Sequence, residues 1–306
     1  MTLRFVYHYA ETRGLDGDLL DAGPVGDVAA AAERAGFDAV SFTDHPAPGA
    51  RWLASGGHQS LDPFVALAFA AAATERLRLL TYLAVLPYRN PLLLAKSAAS
   101  LDKLSGGRLT LGLGAGYLRG EFRSLGVEFD ERNALFDEAL DVLPRHWRGE
   151  PFTYQGRHFH ARDAVALPRP AQDPIPIWIG GNAQVSRRRA AERAQGWMPM
   201  SGGPELAATA RTPMLGSTAE LATATADIRE RARAAGRSDP IDVVYSYHGD
   251  GLEEPAAEPE RHREAFAELA EAGVTWVVVS SPTRSLAATR AFLEAFGATY
   301  LTRDRP

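Results

Sequence analysis

The sequence predicts an α/β fold: a (β/α)8 TIM barrel, with insertions after strand 4 and in the C-terminal half, filling one domain over residues 1–306. Three observations predict it. Apolar runs of strand length alternate with helical periodicities from end to end. The runs are apolar on both faces, as parallel strands covered by helices must be. The stretch Arg78 to Gly116, RLLTYLAVLPYRNPLLLAKSAASLDKLSGGRLTLGLGAG, contains a complete strand–helix–strand unit. Such a unit crosses over right-handed and places its functional loops at the carboxyl ends of its strands.

Taken in order, Leu3 to His8 is the first strand, ending in the polar cluster His8, Tyr9 and Glu11. Val25 to Ala35 is an alanine-rich helix stopped by Gly36, and Phe37 to Phe42 is the second strand, broken by Thr43-Asp44-His45-Pro46. A polar loop runs to Gln59, long enough to be a working loop. Leu61-Asp62-Pro63 opens the next helix, with proline in a first turn. Leu79 to Leu86 is the third strand, Leu92 to Leu104 its helix, and Ser105-Gly106-Gly107 the glycine-rich cap. Arg108 to Leu113 is the fourth strand, followed at once by Gly114-Ala115-Gly116. An amphipathic helix spans Arg132 to Trp147. Pro151 to His160 alternates around Gln155-Gly156 as a hairpin does, and with the proline-rich passage to Pro176 it interrupts the βα rhythm. Ile177 to Ile179, Gly196 to Met200, Ile241 to Tyr247 and Thr275 to Val279 are strands five to eight; helices follow at Gln184–Ala194, Thr218–Ala235, Glu258–Ala272 and Ser285–Phe296. An open doubly wound sheet is the competing topology, but it would expose the apolar last strand as an edge.

Composition narrows the function. With 45% apolar and 23% charged residues the chain is an ordinary globule. A net charge of −5 leaves no electrostatic footprint for nucleic acid or an anionic membrane. The absence of cysteine excludes disulfides, thiolate metal sites and a cysteine nucleophile. The N-terminus lacks a signal-peptide core, and the longest apolar run, Phe64 to Ala73, is too short to cross a bilayer, so a cytoplasmic location is expected. No HExxH or GxSxG occurs, which argues against a zinc hydrolase or an α/β-hydrolase.

Three sites carry candidate chemistry. Asp44 and His45 sit at the carboxyl end of strand two, where barrels keep their chemistry; an imidazole there can give or take a proton near neutral pH. Gly180-Gly181-Asn182 lies between a strand and a helix. By spacing alone it is either a tight βα turn or an anion site built from free backbone N–H groups. Gly114-Ala115-Gly116 is similarly either a simple turn or a place where a flat ligand approaches the backbone.

Four pieces, AERAGFDAVSFTDHP, RLRLLTYLAVLPYRNPLLLAKSAASLDKLSGGRLTLGLGAGYLRGEF, ERNALFDEALDVLPRHW and PIWIGGNAQVSRRRAAERAQGWMP, together resemble the luciferase-like flavin and deazaflavin superfamily, and within it the oxidoreductases that use coenzyme F420. The resemblance spans the first two-thirds of the chain. It implies hydride transfer between the deazaflavin C5 and a small organic substrate. It further implies phosphate contacts at Gly180, Gly181 and Asn182, cofactor contacts at Ala115 and Gly116, and a non-prolyl cis peptide under the ring at Ala84–Val85. Asp44 would meet the polar ring edge and His45 would face the substrate. Relatives that oxidise sugar phosphates carry a glutamate directly after the strand-four G-x-G; here that position is Tyr117, with Glu121 four residues on, which argues against that substrate. His8, Trp52, His58, Tyr117 and Trp197 are candidate pocket walls. Arg187-Arg188-Arg189 could meet an anionic cofactor tail, although a solvated helix face accounts for at least two of them. Two alternatives stay open: reduced FMN activating oxygen in a monooxygenase, and a barrel subunit without cofactor. A homodimer is expected by analogy and from the apolar helix at Phe64 to Ala73.

Overall fold

The computed structural model describes residues 2–202, 204–210, 212–281 and 285–301. Its centre is a closed parallel barrel of β1 (Arg4–His8), β2 (Ala39–Phe42), β3 (Arg78–Thr81), β4 (Leu109–Gly114), β5 (Ile177–Gly180), β6 (Gly196–Met198), β7 (Asp242–Ser246) and β8 (Trp276–Ser280). Each strand pairs with its sequence neighbour, and β1 closes the ring on β8 with Val6 opposite Val278. The predicted TIM barrel is therefore the fold.

Side chains alternate between two apolar layers, as the strand period requires. Val6, Ala39, Leu80, Trp178, Met198, Val244, Trp276 and Val278 fill the interior, where the Trp178 and Trp276 rings meet edge-to-face at 5.3 Å. Residues one position away, such as Tyr7, Val40, Leu79, Ile179, Trp197 and Val243, pack outward against the helices. Gly112 of β4 takes an interior position where any side chain would collide: a Cβ there would stand 2.1 Å from the Thr81 carbonyl oxygen. An interior filled this way is a core, not a pore.

The outer ring comprises α1 (Val25–Ala35), α2 (Pro63–Ala72), α3 (Pro91–Leu104), α4 (Arg132–Trp147), α5 (Gln184–Arg193), α6 (Thr218–Ala234), α7 (Pro259–Glu271) and α8 (Leu286–Phe296). Several ends are written locally. Gly36 stops α1 in the left-handed conformation, Asp62 caps α2 by accepting from the Phe64 and Val65 amides, and Asn90 caps α3 through the Leu92 amide. The outward residues of α2, Val65, Ala68, Phe69 and Ala72, are apolar too.

Four local expectations are corrected. The third strand stops at Thr81 rather than running to Leu86; Ala84–Val85 forms a short separate pairing with β4, and Leu86–Tyr88 is a 3-10 turn. The non-prolyl cis peptide is present, but at Tyr82–Leu83 and not at Ala84–Val85. The sixth strand ends at Met198, before Pro199 removes a backbone donor. The hairpin strands are Phe152–Gln155 and His160–Ala164, so its turn lies later than Gln155-Gly156 and its second strand extends further. Glu138 of α4 fixes that turn by accepting from the amides of Arg157, His158 and Phe159. The helix face of the arginine triplet is also not simply solvated. Arg189 is buried and held by both carboxylate oxygens of Asp137 and by Asn133, Arg187 pairs with Asp227, and Arg188 alone is exposed.

Candidate active site

His45 follows β2 at the carboxyl face. Its backbone is clamped by Ser60: the His45 N–H donates to Ser60 Oγ at 3.0 Å, and that hydroxyl donates to the His45 carbonyl at 3.2 Å. The long polar loop is thereby closed at its base. The ring Nδ1 lies 3.1 Å from Glu121 Oε2. Glu121 is the residue to which sequence reasoning gave no role. It projects from the short helix Arg119–Ser124 after β4, is fully buried, and also accepts from the Tyr88 hydroxyl at 3.0 Å and the Ala47 amide at 3.2 Å. A carboxylate can only accept here, so His45 Nδ1 carries the proton and Nε2 keeps its lone pair. Trp52, on the helix Ala50–Ala54, lies against His45 with ring centroids 4.6 Å apart, and Tyr117 lies at 5.9 Å.

A second cluster adjoins the first. His8 ends β1 on the interior-facing register of Val6; its Nδ1 is 2.9 Å from Ser41 Oγ and its Nε2 is 3.0 Å from Glu11 Oε1. The same Glu11 oxygen stands 3.4 Å from His58 Nδ1. His58 meets the His45 ring edge-on at 5.0 Å and Trp52 at 5.4 Å. The structure thus joins four predicted wall residues, His8, Trp52, His58 and Tyr117, to His45.

Burial acts on Glu11, His58 and Tyr117. It would raise the Glu11 carboxyl, but the hydrogen bond and charge of His8, with the charges of His58 and His45, outweigh it and hold that carboxyl at about 2. Burial lowers His58 below its ordinary value against the pull of Glu11. Burial, then the neighbouring Glu121, pushes the Tyr117 phenol up to about 12.

Asp44 faces differently. Its carboxylate accepts from the Val85 amide at 2.9 Å and from Arg89 at 2.8 Å, so it ties the end of β2 to the segment beyond the cis peptide. Across that segment lies a floor made by Leu83. A Cβ on Gly180 would come within 2.2 Å of Leu83 Cδ1, and one on Gly114 within 3.2 Å. A Cβ on Gly116, whose φ is +76°, would strike Val85 Cγ1 at 2.7 Å. Ala84 is fully buried beside Val85, and Ala115 stands between the two glycines of β4's end. Missing side chains at the ends of β4 and β5 therefore leave room for the Leu83 side chain, a partly exposed apolar group against which a planar ring would pack.

The Gly180-Gly181-Asn182 turn departs from expectation. The Gly181 N–H donates to the Met198 carbonyl, and the Asn182 N–H donates to the Thr212 hydroxyl at 3.0 Å. The Asn182 side chain bridges Met200 and Pro213. The amides left over at this turn are those of the first turn of α5, where Ala183 provides no side-chain cap. Trp197 is fully buried in the outer layer and donates to the Gly181 carbonyl at 2.9 Å; it supports the turn from behind instead of lining the His45 cluster. A cavity of about 310 Å³ adjoins it, lined by Arg187, Pro213, Leu215, Glu220 and Thr223 among others.

Among the described residues no cluster of histidines and carboxylates has the spacing to hold a metal ion, and no helix is long and apolar enough to cross a membrane.

Comparison with known proteins gives this geometry a family. An F420-dependent glucose-6-phosphate dehydrogenase of Beutenbergia cavernae is 31% identical over 315 residues, covering 90% of this chain and 91% of its own. The crystal structure of a monooxygenase, RslO1, from Streptomyces bottropensis superposes with a TM-score of 0.79 at 23% identity, over 98% of this chain and 99% of its own. The coenzyme F420-dependent tetrahydromethanopterin reductase of Methanopyrus kandleri gives 0.73 at 20% identity, over 98% and 99%. Residues 6–249 match the family described as luciferase-like monooxygenase, and the chain belongs to that family.

Proposed function

We propose that this protein is an F420-dependent oxidoreductase that transfers a hydride between the deazaflavin C5 and a small organic substrate, with His45 as the proton-transfer residue. The observation that carries the reading is the His45–Glu121 pair: an imidazole at the carboxyl face whose Nδ1 is fixed by a buried carboxylate. The F420-dependent dehydrogenase relatives support the choice of cofactor.

The bound deazaflavin supplies a two-electron donor or acceptor carbon. The protein supplies the rest. Leu83, with Gly114 and Gly180 making room for it, offers the floor for the ring, and Ala115, Gly116 and Val85 border it. The phosphate falls to the Gly180-Gly181-Asn182 turn, through the first-turn amides of α5. Asp44 holds the Val85 segment in position. His45 Nε2 takes the proton of a substrate hydroxyl as the carbon is oxidised, or returns it in reduction. Glu121, which already accepts from three donors, stabilises the imidazolium and keeps the ring in one orientation. Trp52, Tyr117, His58 and His8 wall the substrate side.

Titration of the purified protein with F420 and separately with FMN, followed by tryptophan fluorescence, tests this. Trp52 lies against His45 and serves as reporter. Saturable F420 binding with weak FMN binding supports the reading. Preference for FMN replaces it with oxygen chemistry, and failure to bind either favours a non-catalytic subunit.

A further inference from the structure

His45 and Glu121 are almost sealed from solvent, with side-chain exposures of 9% and 1%. Glu121 cannot pass a proton on without surrendering one of the three donors it holds. A proton collected at His45 Nε2 must therefore leave from that nitrogen. The next ionisable group is His58, edge-on at 5.0 Å. Its Nδ1 faces two acceptors, the Gln59 carbonyl at 3.1 Å and Glu11 Oε1 at 3.4 Å. That assigns the proton to Nδ1 and the lone pair to Nε2. Glu11 is 25% exposed and opens toward solvent.

We propose that His58, supported by Glu11, is a proton-relay station between the sealed His45–Glu121 pair and solvent. The inference rests on the reading of His45 given above. The proton leaves His45 Nε2 as that N–H bond breaks and forms a new N–H bond at His58 Nε2, directly or through one bridging water. His58 keeps its Nδ1 proton on Glu11, whose negative charge compensates the imidazolium. The same proton then passes from His58 Nε2 to water or a buffer base at the pocket mouth, which restores the starting tautomer. Reduction runs these transfers in reverse. The charged and titratable groups around His58 are Glu11 and His8 from β1 and the segment after it, and His45 from the end of β2; Arg13, whose backbone bridges to His58, and His248 lie next to this group.

Two measurements test the relay. The first needs no cofactor: side-chain 15N NMR of histidines in the whole protein, titrated with pH, in the wild type and in His58→Gln and Glu11→Gln. The relay requires His58 to be protonated at Nδ1 when neutral, and the His45 titration to shift when His58 is replaced. A neutral His58 protonated at Nε2, or a His45 titration indifferent to His58→Gln, overturns it. The second is steady-state hydride transfer in dilute buffer. His58→Gln should lose about tenfold or more in kcat, and added imidazole should recover most of it, because a small base substitutes for the missing acceptor. A loss that no buffer base restores marks a merely structural role and also overturns the relay. If the wild type transfers no hydride with F420, the reading of function fails while the NMR result still decides the relay.

Discussion

The two halves of the carboxyl face use opposite strategies. On the β1–β4 side, side chains from three separate segments converge, His45 after β2, Tyr88 after β3 and Glu121 after β4, and the backbone of Ala47, two residues beyond His45, joins them. No short motif contains them. On the β5–β6 side, a compact motif, Gly180-Gly181-Asn182, sits where an anion site would be written, yet two of its amides are committed to Met198 and Thr212. The first side gathers ionisable groups without a motif, and the second carries a motif two of whose amides are spent on the fold. A hydrogen-bond donor is available to a ligand only after the protein's own acceptors have been counted.

The largest effect that could break this contrast is at His45. His45→Ala should lower kcat by about 10²- to 10⁴-fold, with F420 affinity within about threefold of wild type by fluorescence titration; an unchanged kcat would remove the β1–β4 side from the chemistry. Glu121→Gln comes next. The amide oxygen can keep the Ala47 N–H at the Oε1 position and Tyr88 can turn its hydroxyl to accept from the NH2 at the Oε2 position, so the fold should persist; His45 Nδ1 then faces a donor, its tautomer is no longer enforced and kcat should fall by roughly 10- to 100-fold with KM little changed. Gly180→Ala probes the opposite side: the new Cβ displaces Leu83, with an overpacking cost of about 1–3 kcal/mol, read as a lower melting temperature and weaker F420 binding. Thr212→Val leaves the Asn182 N–H without its acceptor, a cost of about 1–3 kcal/mol measurable by urea unfolding. If that variant instead binds F420 more tightly at equal stability, the turn's amide was available after all and the contrast is weaker than drawn.

Acid stability gives the smallest and most specific reading. The Glu11 carboxyl is held at about 2 against an ordinary 4.5, so its stabilising contribution is complete above about 4.5 and disappears as pH falls toward 2. Glu11→Gln should flatten the loss of melting temperature across that window.

Much of the barrel was legible because its local signals agree. Gly36 follows α1 at the predicted place, Asp62 and Asn90 cap helices that proline opens, and α1 and α4 have the predicted bounds. The bulge was not. Leu79 to Leu86 reads as one apolar run, and apolarity does not report where a strand breaks; the break is set by Asp44 capturing the Val85 amide from another strand. Which cavity Trp197 borders was not legible for a related reason. An aromatic residue on a barrel strand faces either layer, and only register decides which, sending Met198 inward and Trp197 outward. Which arginine of the triplet is buried was not legible, because the sequence does not reveal that Asp137 of α4 packs opposite Arg189.

The sequence by itself determined the alternation of elements, the closure of eight strands, the positions of His45 and the glycine turns, and the family, because periodicity, caps and glycines are local properties that the chain carries with it. Tertiary structure alone decided that Glu121 belongs to His45 across a separation of 76 residues, that Glu11 binds His8 and His58 together, and that the amides of Gly181 and Asn182 are already committed. Those are questions of which donor meets which acceptor once distant strand ends share one face, and a buried polar group must find its partner wherever the fold brings one.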